Sequence, residues 1–521
     1  MDLLHFAGVI TGLLIAMPIA QLCAIDRRCI TLAGGISMNF NALFTVLRYL
    51  VSAGSLILAL GYQSAASAEN TFSGPLPERG LTYSAPSFSE EKKDLTLRDA
   101  ALLTLQHNPE LAAFAKEKRA LEGATLQAGL LRNPELSVNV ENIGNVQPLQ
   151  GDINSSKAVS QEVVQQITTI RLSQLIELGG KRAARVVAAS LNQELAAQDY
   201  ETRRVELIAR VANVFTEVLA GQEQLRLAEE SQKLAQRVVN TVAKRVQAGK
   251  VPPIEETKAG VAFSSTQIAL VQAQRDLEAA RKRLTLLWGN SSTKFNKALG
   301  DLGSLVALPS FEALAERALV SPMALRAMKN IEQRKALLGV EHTRRIPNLT
   351  VNAGVVHHAQ LGGNTAVASL GIPLPFFDRN QGNIQEAYQR VDKAIDEQAA
   401  IELRLKTELT QAYEALSAAQ RETGILRDEI LPAARSAFEV TNKGYELGKF
   451  GFLEVLDAQR TLFQNQVLYV RALANYQRLV NEIERLIAAP IDVAMNGVLS
   501  PSAINAAING NNANTVSRSG L

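Results

Sequence analysis

Cysteine is almost missing from this 521-residue chain: Cys23 and Cys29 are its only two, and both lie in an apolar leader, so nothing beyond residue 68 carries a thiol. That excludes disulfides, thiolate metal sites and cysteine nucleophiles from the remainder. Histidine is nearly as scarce, at five residues, and no Ser-His-Asp set, metal-ligand cluster or phosphate loop can be assembled. The stretch "ELGGKR" at 177–182 lacks the spacing and the closing Ser or Thr of a phosphate loop. An enzyme is therefore not expected, and no catalytic residue, cofactor or resident metal is assigned. Charge of one sign is also lacking: the formal net charge of +3, without a concentrated basic face, excludes a nucleic-acid partner. Aromatic residues make up only 5% of the chain, while Ala, Leu, Gln, Glu and Arg crowd its middle, as in long packed helices.

Residues 1–68 read as a leader. An apolar stretch, "YLVSAGSLILAL", follows Arg48 and runs into "YQSAASAEN", where Ala66 and Ala68 suit a secretory cleavage site. Met38, opening "MNFNALFTVLRYL", is read as the true start, and the mature chain as beginning near Glu69. The alternative, a retained membrane anchor, suffers from an apolar run shorter than the roughly 20 residues of a spanning helix. Cys23 follows "IAQL", without the small residue expected before a lipidated cysteine, so no lipid anchor is expected.

Beyond an extension over 69–94 the chain repeats itself. Residues 108–139 align without gaps on 321–352, matching Pro109 with Pro322, Pro134 with Pro347 and Asn139 with Asn352. Each copy continues with an alternating stretch, a polar loop, a second alternating stretch, a long proline-poor helix, a glycine-marked break and another helix. The copies span 95–300 and 301–490, with breaks near 249–254 and 448–453. No proline interrupts Gly180 to Gly249, and Val205, Ile208, Ala212, Phe215 and Leu219 step as a coiled-coil seam. In the second copy Pro432 is expected to kink the helix. The tail over 491–521 is Asn-rich and expected to be disordered or loosely wrapped.

Strands are expected near 134–145, 163–177, 347–356 and 365–376. "PELSVNVEN" and "PNLTVNAG" alternate apolar and polar residues, which fits a membrane barrel wall and equally fits a half-buried soluble sheet. Four strands cannot close a barrel, because the smallest membrane barrels need about eight and lipid does not tolerate an open edge. If these strands span a membrane, several chains pool them, and three chains would supply twelve.

"SLGIPLPFFDRNQGNIQEA" at 369–387 and "GYELGKFGFLEVLDAQRTL" at 444–462, with the weaker "LSQLIELGGKRAARV" at 172–186, resemble the TolC-type outer-membrane efflux proteins. Within that family the likeness is to the CzcC-like outer-membrane component of heavy-metal, cobalt-zinc-cadmium tripartite efflux systems, and it covers about residues 95–490. The resemblance implies a mainly α fold with a transmembrane β-barrel part, assembled as a homotrimer: a twelve-strand barrel in outer-membrane lipid, continued by an α-helical barrel across the periplasm. It implies a passive duct that receives cargo from an inner-membrane proton-driven transporter through a periplasmic adaptor. It places loops 146–162 and 357–364 outside the cell and both glycine breaks at the periplasmic tip.

The same resemblance assigns candidate residues. Glu454 and Asp457 match acidic positions ringing a constricted entrance, and Glu255 matches one linked to its closure. Carboxylates early in a helix are also favoured by its dipole, which gives them an ordinary structural reading. Gly249, Lys250, Gly448 and Lys449 form the expected adaptor-docking tip. Pro373, Pro375, Phe377, Asp378, Arg379, Asn380, Gln381 and Gly382 form the family's strand-to-helix turn. Glu256, Lys258 and Phe450 carry weaker warrants, and Phe450 stands where a relative carries a basic gate partner. His357 and His358, adjacent on a strand, point to opposite faces and do not suit one ion. Competing readings are an exported coiled-coil scaffold or adaptor without a pore, and a duct for organic compounds or for protein secretion.

Overall fold

The computed structural model describes residues 94–143, 166–290, 295–358 and 362–491. The leader over 1–68, the extension over 69–93, the loop 146–162, residues 359–361 and the tail beyond 491 lie outside the described residues.

In chain order the first copy contains β1 (Leu95–Thr96), α1 (Leu97–His107), α2 (Pro109–Ala128), β2 (Glu135–Glu141), β3 (Ile167–Ile176), α3 (Lys181–Gln247) and α4 (Pro253–Leu286). The second contains β4 (Ala298–Leu299), α5 (Phe311–Ala318), α6 (Pro322–Arg344), β5 (Leu349–His358), β6 (Gly363–Gly371), α7 (Gln381–Ile425), a π-helical turn (Leu426–Ile430), α8 (Leu431–Glu446) and α9 (Phe452–Ile487). Pro109 and Pro322 open α2 and α6, where a missing N–H costs nothing. Asn108 caps α2 by accepting from the Leu111 N–H at 3.1 Å.

Helix α3 runs 67 residues, roughly 100 Å at 1.5 Å per residue, straight through Gly221. A Cβ at Gly221 would lie 3.3 Å from Leu277 of α4, so that glycine serves a close helix approach. The expected seam is only partly the buried one. Ala212 and Phe215 are buried, but Val205, Ile208 and Leu219 are half-buried, and Leu207, Val211 and Val218 carry the deepest burial. The reason is that α3 has neighbours on several sides: it packs on α2, α4, α6 and α9, so no single stripe describes it. In the second copy Pro432 is accommodated by a π-turn rather than by a bare kink. Lacking an N–H and crowding the carbonyl four residues back, it stands two residues after the widened turn Leu426–Ile430.

The packing partners set a lateral order: α2 and α4, then α3, then α6 and α9, then α7 and α8. One core joins Val211, Phe215 and Val218 of α3 to Leu277 and Leu284 of α4 and to Trp288; another joins Leu405, Leu409 and Leu416 of α7 to Tyr476 and Ile483 of α9. The outer helices keep apolar residues exposed at near-heptad spacing: Ile254, Val261 and Ile268 on α4, Tyr388, Ile395 and Leu403 on α7, Val440 on α8 and Leu447 just after it.

The four longer strands form one antiparallel sheet in the order β2-β3-β5-β6. Strand β6 stops at Gly371 instead of running to 376, because Pro373 and Pro375 have no N–H to continue a ladder. Register puts Leu136, Leu172, Ala353 and Ala368 in one row, and Val138, Ile170, Val355 and Ala366 in the next row on the same face. The opposite face carries Glu135, Ser173, Asn352 and Ser369 in one row, with Ser173 Oγ bonded to Asn352 Oδ1 at 2.6 Å and Asn352 Nδ2 to Ser369 Oγ at 3.1 Å. These two rows are apolar across all four strands, and the face gives way to a mixed row of Val140, Thr168, His357 and Asn364 toward the loops. It is largely exposed in a single chain, with Leu136 68% and Val138 59% accessible. Both edge strands, β2 and β6, lack an outer partner among the described residues, and they run in opposite directions.

Candidate functional site

The two glycine breaks have the same geometry. After α3 the Gly249 N–H bonds to the Val246 carbonyl and the Lys250 N–H to the Arg245 carbonyl, both at 2.9 Å. After α8 the Gly448 N–H bonds to the Tyr445 carbonyl at 2.9 Å and the Lys449 N–H to the Gly444 carbonyl at 2.8 Å. This six-to-one and five-to-two pairing is the Schellman motif, and it needs the left-handed conformation found at Gly249 (φ 67°) and Gly448 (φ 73°). The side chains of Lys250 and Lys449 stay exposed.

After each break the chain enters a returning helix whose third residue is acidic: Glu255 in α4 and Glu454 in α9. Their surroundings differ. Glu454 is exposed and curls back over the helix start, with an oxygen 2.7 Å from where a Cβ on Gly451 would sit. Asp457, one turn on, is exposed as well. Glu255 is half-buried and accepts a 3.0 Å hydrogen bond from the Tyr445 hydroxyl of α8. The three carboxylates do not meet as a metal site; no group of three or more potential ligands occurs among the described residues.

Two residues not singled out from the sequence organise this tip. Arg245, in the last turn of α3, lies with its guanidinium carbon 4.4 Å from the Tyr445 ring centroid and donates through Nη1 to the Tyr445 carbonyl. Tyr445 itself is 4% accessible, packs on Phe452 with ring centroids 5.8 Å apart, and joins a core with Val238, Val242, Ala259 and Val455. Burial, then the bond to Glu255, pushes the Tyr445 hydroxyl up to about 12, so it remains a neutral donor at ordinary pH. Phe450 offers no basic partner; its ring packs on Gly444, where a Cβ would stand 2.0 Å from the ring edge. The only sequence sign of this arrangement was Gly444-Tyr445 beside the glycine break.

At the other end of the long helices, the strand-to-helix turn is built by side-chain bonds. Asn380, the residue before α7, adopts φ 60°; its N–H donates to Asp378 Oδ1 at 2.9 Å, and its Nδ2 to the carbonyl and carboxylate of Glu341, both at 2.8 Å. Gln381 accepts from the Arg379 N–H and donates to the Phe377 carbonyl. Pro373 and Pro375 close off the ladder, Phe377 is 93% accessible, and Gly382 has open space around it. The first copy makes the equivalent turn with Gly179 and Gly180, both at φ 73°. There Arg185 forks onto Glu177 at 2.6 and 2.8 Å, and Lys181 donates to Asn348. The Arg185 hydrogen bonds hold the Glu177 carboxyl below its ordinary value, against the opposing effect of burial. His357 and His358 bond separately, to Asn364 at 2.8 Å and Thr365 at 3.3 Å.

Comparison with known proteins gives concordant matches. The family described as "Outer membrane efflux protein" matches residues 102–290 and 314–489. The "Cobalt-zinc-cadmium resistance protein CzcC" of Cupriavidus metallidurans is 38% identical over 407 residues, 78% of this chain and 93% of that protein. The "Nickel-cobalt-cadmium resistance protein NccC" of Alcaligenes xylosoxydans xylosoxydans is 28% identical over 59% of this chain and 65% of its own length. A membrane protein of Pseudomonas aeruginosa, solved by crystallography, shares the fold with a TM-score of 0.63 at 20% identity, over 80% of this chain and 97% of its own.

Proposed function

The chain belongs to the outer membrane efflux protein family, and from that membership we propose that it is the outer-membrane duct of a tripartite pump, passively conducting divalent heavy-metal cations out of the periplasm. The observation that carries the proposal is the four-stranded sheet with one apolar face and two open, oppositely directed edges. Three chains joined edge to edge, β6 of one against β2 of the next, would keep every pair antiparallel and close twelve strands with the apolar face on lipid. The exposed near-heptad residues on α4, α7 and α8 would then meet between chains, closing the helices into a second barrel below. The two repeats, 95–300 and 301–490, each contribute half of the wall.

In this reading the glycine turns form the periplasmic rim. Glu454 and Asp457 from each of three chains line its aperture and attract cations. Gly249, Lys250, Gly448 and Lys449 present the rim to a periplasmic adaptor, and an inner-membrane transporter supplies cargo and energy. The Tyr445–Glu255 bond ties the first helical hairpin to the second and supports a closed entrance. The metal cargo rests on likeness to the named cobalt, zinc, cadmium and nickel resistance proteins.

The test is single-channel conductance of purified protein in planar bilayers, with native mass on the same sample. A trimer that conducts, with cations preferred, is expected. A monomer or dimer without insertion would leave an exported scaffold as the better account. Deletion in the native host should then raise sensitivity to divalent metals; unchanged metal sensitivity would move the cargo to organic compounds or proteins.

A further inference from the structure

Tyr445 stands between two opposite charges that belong to one hairpin. Arg245 ends α3 and Glu255 begins α4, yet each is engaged with Tyr445 of the other hairpin and not with its own neighbour. The guanidinium is under-used there: Nη1 reaches a main-chain carbonyl, and the buried Nε has no partner among the described residues. Gly448 lies beside it, where a Cβ would make only ordinary contact with Nη2, at 3.9 Å. A planar fork of donors is better matched to a carboxylate than to a ring and one carbonyl. The nearby charged groups, Lys244, Lys250, Glu256, Lys258, Lys449 and Glu454, are all exposed, so Glu255 is the half-buried anion within the same hairpin.

We propose that Arg245 is a positioning residue of the entrance with two alternative partners: it clamps Tyr445 while the two hairpins touch, and takes the Glu255 carboxylate when Tyr445 withdraws. This rests on the reading of the chain as a duct entered at this tip. Parting the hairpins then strands neither charge, because both partners of the new ion pair sit on the hairpin that Tyr445 leaves. Opening exchanges one set of polar contacts for another instead of exposing two unmatched charges.

The experiment is the open fraction of single channels formed by the full-length protein, with native mass and thermal unfolding recorded for each variant. Tyr445→Phe removes only the hydroxyl and should raise the open fraction by at least about tenfold, as loss of a hydrogen bond to a charged group implies. Adding Arg245→Ala to Tyr445→Phe should lower it again, because the parted state loses an ion pair while the touching state loses only the bond to the residue-445 carbonyl and the contact with the ring face. Glu255→Gln in the same Phe background should do likewise, so the test survives if one double variant fails to fold. A residue that only buttresses Tyr445 would leave the double variants as open as Tyr445→Phe, or more so, and that result overturns the proposal. If wild type and all variants form no pore, the duct reading falls first and the proposal with it.

Discussion

Val138 offers a direct test of what the apolar face of the sheet is for. It lies at the centre of β2, in register with Ile170, Val355 and Ala366, and is 59% accessible in the single chain. Its chain neighbour Asn139 belongs to the polar face, in a row with Thr169, Val356 and Thr365. If the apolar face meets lipid, Val138→Arg places a charge near the bilayer midplane at a cost of about 2–4 kcal/mol per chain. Three chains in one barrel multiply this to about 6–12 kcal/mol. Asn139→Arg adds the same side chain one residue away, facing the wet interior, and should cost almost nothing. The assay refolds urea-unfolded protein into lipid vesicles and follows trimer yield by native mass, with Val138→Leu as a packing control. Val138→Arg should fail to insert while Asn139→Arg and Val138→Leu insert as wild type does. Equal yields for the two arginine variants would refute the two-faced wall, and poorer yield for Asn139→Arg would reverse it.

Three further outcomes are expected. Glu454→Gln combined with Asp457→Asn should reduce the cation preference measured by reversal potential; an unchanged preference would return both residues to the role of first-turn carboxylates stabilised by the helix dipole. Gly444→Ala should expel the Phe450 ring, since the new methyl would stand 2.0 Å from it, and lower stability by about 1–3 kcal/mol. Shortening the ring in Gly444→Ala/Phe450→Ala should recover part of that loss in thermal unfolding, and no recovery would mean that the contact is incidental. Because Arg185 lowers the Glu177 carboxyl in the folded state, its contribution is full above the ordinary carboxylate value and disappears as pH falls through the lowered one. Glu177→Gln should therefore narrow its deficit against wild type in acid and keep it constant at and above neutral pH, which urea titrations at several pH values would show.

Local patterns were readable from the sequence and distant pairings were not. The alternation in "PELSVNVEN" and "PNLTVNAG" marks β2 and β5 because a strand announces itself within a few residues. Gly249 and Gly448 mark helix ends for the same local reason: only a residue tolerant of positive φ suits the position. The end of β6 was written in Pro373 and Pro375, but the apolar alternation of Leu370, Ile372 and Leu374 continues past them and masks the stop. Along α3 a periodic stripe assumes one partner, and a helix enclosed on several sides has no single stripe to read. The contact of Tyr445 with Arg245 and Glu255 joins residues about two hundred positions apart, with no pattern linking them beforehand.

Both glycine turns are closed by main-chain hydrogen bonds, with glycine as the sole compositional demand. The lysines that follow contribute only their N–H groups, so their side chains are free to be exchanged without altering the loop. If these turns meet a periplasmic adaptor, as proposed, the contact can be rewritten one residue at a time while each intermediate still folds.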